Sequence, residues 1–387
     1  MGINKLSNLP VVQPWIKQFL PKDRALARQL VDELMYYETS HVFREISLMT
    51  KDKMTPYSGV GIIPVRELKD KTESYFPQDN DIAPLTQSSE EYLGSEAYVS
   101  NLITQLSRYN VKKIIRKNGK APSLNELIHR KAKALILVDD LIGSGKRVCD
   151  FLDAIYRNEK IKNLISQDKI KVHIVAFMAS ETGEASINRW AEEKHASINL
   201  TAINKCPTFH KLPLSESYLK LCKDYSFREE RKPIGFQDTA VRVVFEHSAP
   251  NNLPTIFYKD IKQYFPKNSK ITGLSKSWCA LFSGRAVDEK FKYQASHIKV
   301  KRTVSNIIGL ILRTLSSASP MSLRSLRKVE GLNSLDLAHY INLCVKLKML
   351  EKNKEQVSIT QQGVIELNSL SNIKKPIEIN EQLYYPP

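Results

Sequence analysis

The period of the apolar positions changes along the chain. Residues 22–50 carry Leu26, Leu30, Leu34 and Met35, then Val42, Phe43, Ile46 and Met49, at helical spacing. Two helices are expected there, capped by Asp23 and Ser40, as an N-terminal helical cap over residues 1–54. From residue 55 the pattern becomes short β-type runs: Val60–Val65, Val111–Ile115, Ala134–Val138, Val172–Met178, Ile198–Ile203 and Val241–Phe245. Helical patterns separate them at 95–108, from the cap Ser123 to Ala132, at 147–157 and at 182–194. Strands alternating with helices predict an α/β domain over 55–258 with a mostly parallel sheet. The unbroken runs Ala134–Val138 and Val172–Met178 read as its buried central strands. Residues 70–92 are polar and hold Pro77 and Pro84, which predicts a surface loop.

Residues 259–300 are basic and mixed, a connecting region without a clear period. Helical spacing returns at Thr303–Leu315. A short helix from Pro320 and Ser322 to Val329 follows, then a turn at Gly331-Leu332-Asn333 and a helix capped by Ser334 running to Met349. A hairpin of Leu350–Glu351 and Val357–Thr360 is next, then a helix from Gln362. These make a separate module over 301–372, with a tail over 373–387.

A chain of 387 residues is long enough for two or three domains. With 42% apolar and 26% charged residues, it has the makeup of folded protein. The formal net charge is +17. Residues 259–387 hold 21 Lys/Arg against 10 Asp/Glu, so 11 of those 17 charges sit in the last third of the chain. That points to a polyanionic partner, with nucleic acid favoured over a merely solvated surface. Five cysteines, an odd number without a C-x-x-C pair, argue against a disulfide framework, and Cys206 and His210 lack the second pair a zinc site needs. No segment has the apolar length to cross a bilayer, and MGINKLSNLP has no hydrophobic signal core, so the expected location is the cytoplasm, with no membrane partner.

The chemistry concentrates in Leu135-Ile136-Leu137-Val138-Asp139-Asp140-Leu141-Ile142-Gly143-Ser144-Gly145-Lys146-Arg147-Val148. A buried strand ends in two carboxylates, a glycine-rich bend follows, and a helix begins. Ligands of open α/β sheets bind at the carboxyl ends of strands. Glycines let backbone N–H groups converge on an anion, and the next helix directs its positive end at the same place. Gly143, Ser144, Gly145, Lys146 and Arg147 can therefore hold a phosphate. Asp139 and Asp140 would repel it but accept hydrogen bonds from a vicinal diol. Together they point to a ribose 5-phosphate group. A plain α/β turn with two exposed acids remains the simpler alternative. A receiver-type acid pair lacks the Gly-Ser-Gly bend, and Gly143–Lys146 does not match the P-loop pattern.

This string resembles the phosphoribosyl-pyrophosphate signature of type I phosphoribosyltransferases. The resemblance implies a sheet of that fold, Asp139 and Asp140 on the ribose hydroxyls as the catalytic acids, and Gly143–Arg147 on the 5-phosphate. It also implies Mg²⁺ accompanying phosphoribosyl pyrophosphate or a nucleotide, and a transferase or nucleotide-cleaving activity. Gly143 and Arg147 depart from the pattern, which commonly has Thr or Ala at the first and a hydroxyl residue at the second. Val65-Arg66-Glu67 is a weak candidate for a diphosphate loop, and Lys112, Lys113, Arg116 and Lys117 for a mobile segment. His129 and His173 read as structural; Asn251 and Asn252 read as a turn that could alternatively line the site.

Residues 301–372 resemble a winged-helix domain. The resemblance places the third helix in a major groove, with His339, Asn342 and Lys346 outward, Arg324, Arg327 and Lys328 on the second helix, and Lys352 and Lys354 on the wing. Winged helices also bind proteins. A phosphoribosyltransferase-like domain followed by such a module resembles effectors of bacterial anti-phage defence of the retron type. The partners this implies are DNA or an RNA–DNA hybrid and a reverse transcriptase. A ligand-sensing, DNA-binding regulator is the alternative.

Overall fold

The computed structural model describes residues 5–67, 73–77, 95–116, 121–327, 329, 337–354 and 356–372. The chain divides into two units, residues 14–288 and residues 1–13 with 289–387.

The larger unit opens with α1 (Gln13–Lys17), α2 (Arg24–Asp32), β1 (Met35–Tyr37) and α3 (Thr39–Met54). It continues with β2 (Val60–Pro64), α4 (Ser95–Tyr109), α5 (Leu124–His129), β3 (Ala134–Ile142) and α6 (Lys146–Tyr156). Then come α7 (Glu159–Ser166), β4 (Lys171–Ala179), α8 (Glu181–Glu193), β5 (Ile198–Lys205), α9 (Ser215–Asp224) and β6 (Val243–Phe245). Strands β2, β3, β4 and β5 lie side by side, all parallel. This is the α/β sheet the sequence predicts. Along β3 the side chains alternate between two cores. Leu135 and Leu137 join α5, α6, α7 and α8, whereas Ala134, Ile136 and Val138 join α3 and α4. The sheet is thus covered on both faces, which explains why its strands read as unbroken apolar runs.

Several expected boundaries shift. Strand β3 does not stop at Val138 but carries both carboxylates and runs to Ile142, with Asp139 opposite Ala176 and Leu141 opposite Met178. Met35 leaves the helical pattern and opens β1, which pairs in parallel with β6. The N-terminal segment is therefore not purely helical; helical and alternating patterns coincide over so short a stretch. Helix α3 starts at Thr39, with Glu38 rather than Ser40 at its N-cap, and Asp23 makes no side-chain cap on α2. Ser123 does cap α5, in a reciprocal box with Glu126. Residues 111–115 form no strand, only one bridge from Ile114 to Val60. Residues 259–288 have little regular structure but fold onto an aromatic cluster. Trp15 and Trp278, both buried, donate their indole N–H to the Ile256 carbonyl at 3.1 and 2.9 Å.

The smaller unit comprises α10 (Glu289–Ser317), β7 (Met321–Ser322), α11 (Leu323–Leu326), α12 (Leu337–Lys346), β8 (Leu350–Asn353), β9 (Gln356–Ile359) and α13 (Gln361–Asn372). Helix α10 begins at Glu289, well before the expected Thr303. The three strands form an antiparallel sheet in the order β7, β9, β8. Ile308, Ile311, Leu312, Leu315, Leu326, Leu337, Ile341, Cys344, Leu350 and Val357 make its own core. The expected turn at 331–333 and cap Ser334 lie outside the described residues. No helix among the described residues is long and apolar enough to cross a membrane.

Candidate functional site

Strand β3 delivers Asp139 and Asp140, 2% and 5% exposed, to the carboxyl end of the sheet. Their side chains first serve the backbone: Asp139 Oδ1 accepts from the Asp140 amide and Asp140 Oδ1 from the Leu141 amide, both at 2.9 Å. The bend 143–145 follows, and α6 begins at Lys146. Its glycines are demanded by contact. A Cβ at Gly143 would lie 2.4 Å from the Asn252 side chain. Gly145 is left-handed, with φ 78°, and a Cβ there would lie 2.7 Å from the Gly183 carbonyl at the start of α8. Ser180, the N-cap of α8, donates its hydroxyl to the Gly143 carbonyl. Among the described residues, the amides of Gly143, Ser144 and Gly145 donate to no protein acceptor. They stand at the positive end of α6, a place suited to an anion.

The acid pair is already engaged. Arg147 Nη2 lies 2.6 and 2.8 Å from the two oxygens of Asp139 and 3.7 Å from Asp140 Oδ1. His247 Nε2 lies 3.0 Å from Asp140 Oδ2. The sequence places Arg147 on a phosphate; its guanidinium sits on Asp139. Lys146 pairs with Asp150 at 2.9 Å. Burial pushes the Asp139 carboxyl up to about 7, against the pull of Arg147 and with the Asp140 charge adding. Burial also acts on Asp140, but the hydrogen bond and charge of His247, with Arg147, outweigh it and hold that carboxyl well below the usual range. Burial thus favours the protonated form at Asp139, whereas the neighbours of Asp140 favour its ionised form.

His247 escaped the sequence reading. It follows β6, and polar residues at a strand's carboxyl end were the available signal. Its turn is tightly held. Phe245 and Ser248 exchange backbone hydrogen bonds, Glu246 N–H donates to Tyr37 O, and Thr39 Oγ1 lies 3.4 Å from His247 Nδ1. Arg285, backbone φ 71°, donates Nε to Ala249 O at 2.8 Å and Nη2 to Ser248 Oγ at 3.3 Å. Asn252, expected in a turn, is buried against the bend and donates to Thr239 Oγ1 at 2.9 Å.

Other expected residues fall elsewhere. Arg66 donates to Ser100 Oγ at 3.2 Å, Lys113 to Thr55 O at 2.8 Å and Arg116 to Thr104 Oγ1 at 3.3 Å; Lys117 lies outside the described residues. The Tyr57 hydroxyl lies 2.8 Å from His173 Nε2, a packing role. In the smaller unit Arg324, Arg327, Asn342, Lys346, Lys352 and Lys354 are exposed. Lys328 lies outside the described residues, and of His339 only the backbone is described.

A protein-held Mg²⁺ does not fit this acid pair. Arg147 occupies both oxygens of Asp139 and His247 one oxygen of Asp140, and no group of three or more His, Cys, Asp or Glu among the described residues could hold a metal.

A four-stranded parallel sheet whose third-layer helices frame an acid pair and a glycine bend defines a phosphoribosyltransferase-like domain. The sequence model of the PRTase-CE family matches residues 12–283, and the chain belongs to that family. No curated protein and no solved structure is detectably similar.

Proposed function

We propose that the larger unit binds a phosphoribosyl-containing ligand at the bend 143–145, as an effector of a bacterial anti-phage system of the retron type. The observation that carries the binding reading is local. Three successive amides, of Gly143, Ser144 and Gly145, donate to no protein acceptor among the described residues; they immediately precede α6 and follow a buried acid pair. The amides take the 5-phosphate; Asp139 and Asp140 take the ribose hydroxyls once Arg147 swings from Asp139. Arg147 then lies free to neutralise a phosphate, as its position in the first turn of α6 allows. Any Mg²⁺ would come with a diphosphate ligand rather than reside on the protein. Transfer or cleavage at the anomeric carbon would rest on orientation by these groups.

The smaller unit is proposed as a winged helix that meets DNA, an RNA–DNA hybrid or a nucleoprotein containing a reverse transcriptase. Exposed Arg324, Arg327, Lys346, Lys352 and Lys354 supply phosphate contacts, and Asn342 a polar one. His339 and Lys328 belong to the same proposal. The defence role rests on the resemblance in architecture, and fold alone does not assign it. One observation favours the second reading, a ligand-sensing regulator without catalysis: Asp139 is held by the protein's own Arg147 and Asp140 by its own His247.

Calorimetric titration with ribose 5-phosphate and with phosphoribosyl pyrophosphate, with and without Mg²⁺, tests the site. The Asp139→Asn/Asp140→Asn variant, isosteric with the native pair, should lose at least tenfold in affinity. Failure of the native protein to bind either ligand would sink the reading. Consumption of a bound nucleotide separates the effector from the regulator.

A further inference from the structure

Beside the acid pair lies an aromatic group at the margin of the core, with Phe43 packed against it and Tyr98 open to solvent. Helix α3 contributes Phe43 and α4 contributes Tyr98, and their rings lie 5.8 Å apart at 14°, stacked. Both also lean on the His247 imidazole, with centroids 5.5 and 5.2 Å away. The His247 ring is fully buried and hydrogen-bonds Asp140. Tyr98 is 43% exposed. An open aromatic ring therefore sits one imidazole away from a carboxylate that can hold a ribose diol.

We propose that Tyr98, backed by Phe43 and His247, is a stacking platform for a nucleobase, so that the site takes nucleotides in preference to base-free sugar phosphates. The inference rests on the phosphoribosyl reading above and narrows its ligand class. The geometry of a nucleotide supplies the reason. The base leaves the sugar at C1′, next to the carbon bearing the 2′ hydroxyl. A protein that holds the diol therefore meets the base within about one ring's width. A ring face is the simplest surface for it, because every base has a π-face and stacking tolerates any of them. A core role for Tyr98 explains less, since nearly half of it faces solvent while Val99, Leu102, Ile103 and Leu106 of the same helix are buried.

The test compares adenosine monophosphate with ribose 5-phosphate on the full-length protein, by calorimetry. The nucleotide should bind the native protein about tenfold tighter or more. Tyr98→Ala should abolish that preference while leaving ribose 5-phosphate affinity unchanged, and Tyr98→Phe should keep it. Urea unfolding midpoints of the three proteins should coincide closely, since the side chain is half open. Equal affinity of the native protein for the two ligands overturns the platform alone. So does an equal loss for both ligands in Tyr98→Ala. Binding of neither ligand to the native protein overturns the phosphoribosyl reading and the platform together.

Discussion

Replacing Arg147 with methionine removes a cation from a buried acid while keeping most of the side chain's length. The cost should depend on pH in a way the geometry specifies. In the native protein burial raises the Asp139 carboxyl to about 7, against the pull of Arg147. Without Arg147, whose charge opposes the effect of burial, its folded pKa must rise further. The unfolded chain has an ordinary Asp pKa of about 3.9 in both proteins. Below about 7 the folded carboxyl is largely protonated with or without Arg147, so the electrostatic loss is small. Above 7 only the native protein holds the ionised form in comfort. The variant then loses up to about 1.4 kcal/mol for each further pH unit. Between pH 6 and pH 9 the difference should widen by about 2–3 kcal/mol. That lies below the 3–5 kcal/mol typical of breaking a fully buried pair. The figure is only the pH-dependent part, about 1.4 kcal/mol for each of the two pH units above 7, and screening of the Arg147 side chain, 34% exposed, can only reduce it. Urea unfolding of both proteins at pH 6 and pH 9 measures it. A difference in stability that stays constant across that range would refute the assignment of Arg147 as the counter-ion of a titrating Asp139.

The native protein carries a related signature. The folded pKa of Asp139 is raised, so its contribution is fully present below about pH 4 and is lost as pH climbs to about 7. Asp139→Asn should flatten the stability profile over that window, read by thermal unfolding. Gly143→Ala would push a methyl into the Asn252 side chain, which lies 2.4 Å from the Cβ position. It should destabilise by about 1–3 kcal/mol, with Asn252→Ala relieving part of the loss in a double-mutant cycle. In the smaller unit, Lys352→Glu/Lys354→Glu should weaken binding of duplex or hybrid nucleic acid and lower its salt dependence, measured by fluorescence anisotropy across salt concentrations. An unchanged salt slope would remove the wing from the contact surface.

The central sheet was legible because burial on both faces writes a strand as a continuous apolar run, as in Ala134–Val138 and Val172–Met178. The glycine bend was legible because few residues other than glycine tolerate φ 78° hard against another backbone. What the acids do with their neighbours was not. Asp140 meets His247 across 107 positions, and the pairing depends on β6 lying beside β1, whose three residues carry no period long enough to read. Arg147 is eight residues from Asp139, and only the turn of the chain through the bend brings its guanidinium back onto the strand. Besides Phe245 of its own strand, the aromatic neighbours of His247 are Phe43 and Tyr98, from α3 and α4, helices whose own patterns advertise only a core face.

The close seating of Gly143 on Asn252 and of Gly145 on Gly183 has a kinetic corollary. A segment wedged between a helix start and an amide side chain has no slack with which to hinge. Admission of a ligand must then come from displacement of the Arg147 guanidinium from Asp139, a side-chain exchange of one hydrogen-bonded partner for another, rather than from movement of the bend. Association should accordingly show a single fast phase whose rate rises linearly with ligand concentration, without the plateau that a slow loop opening would impose.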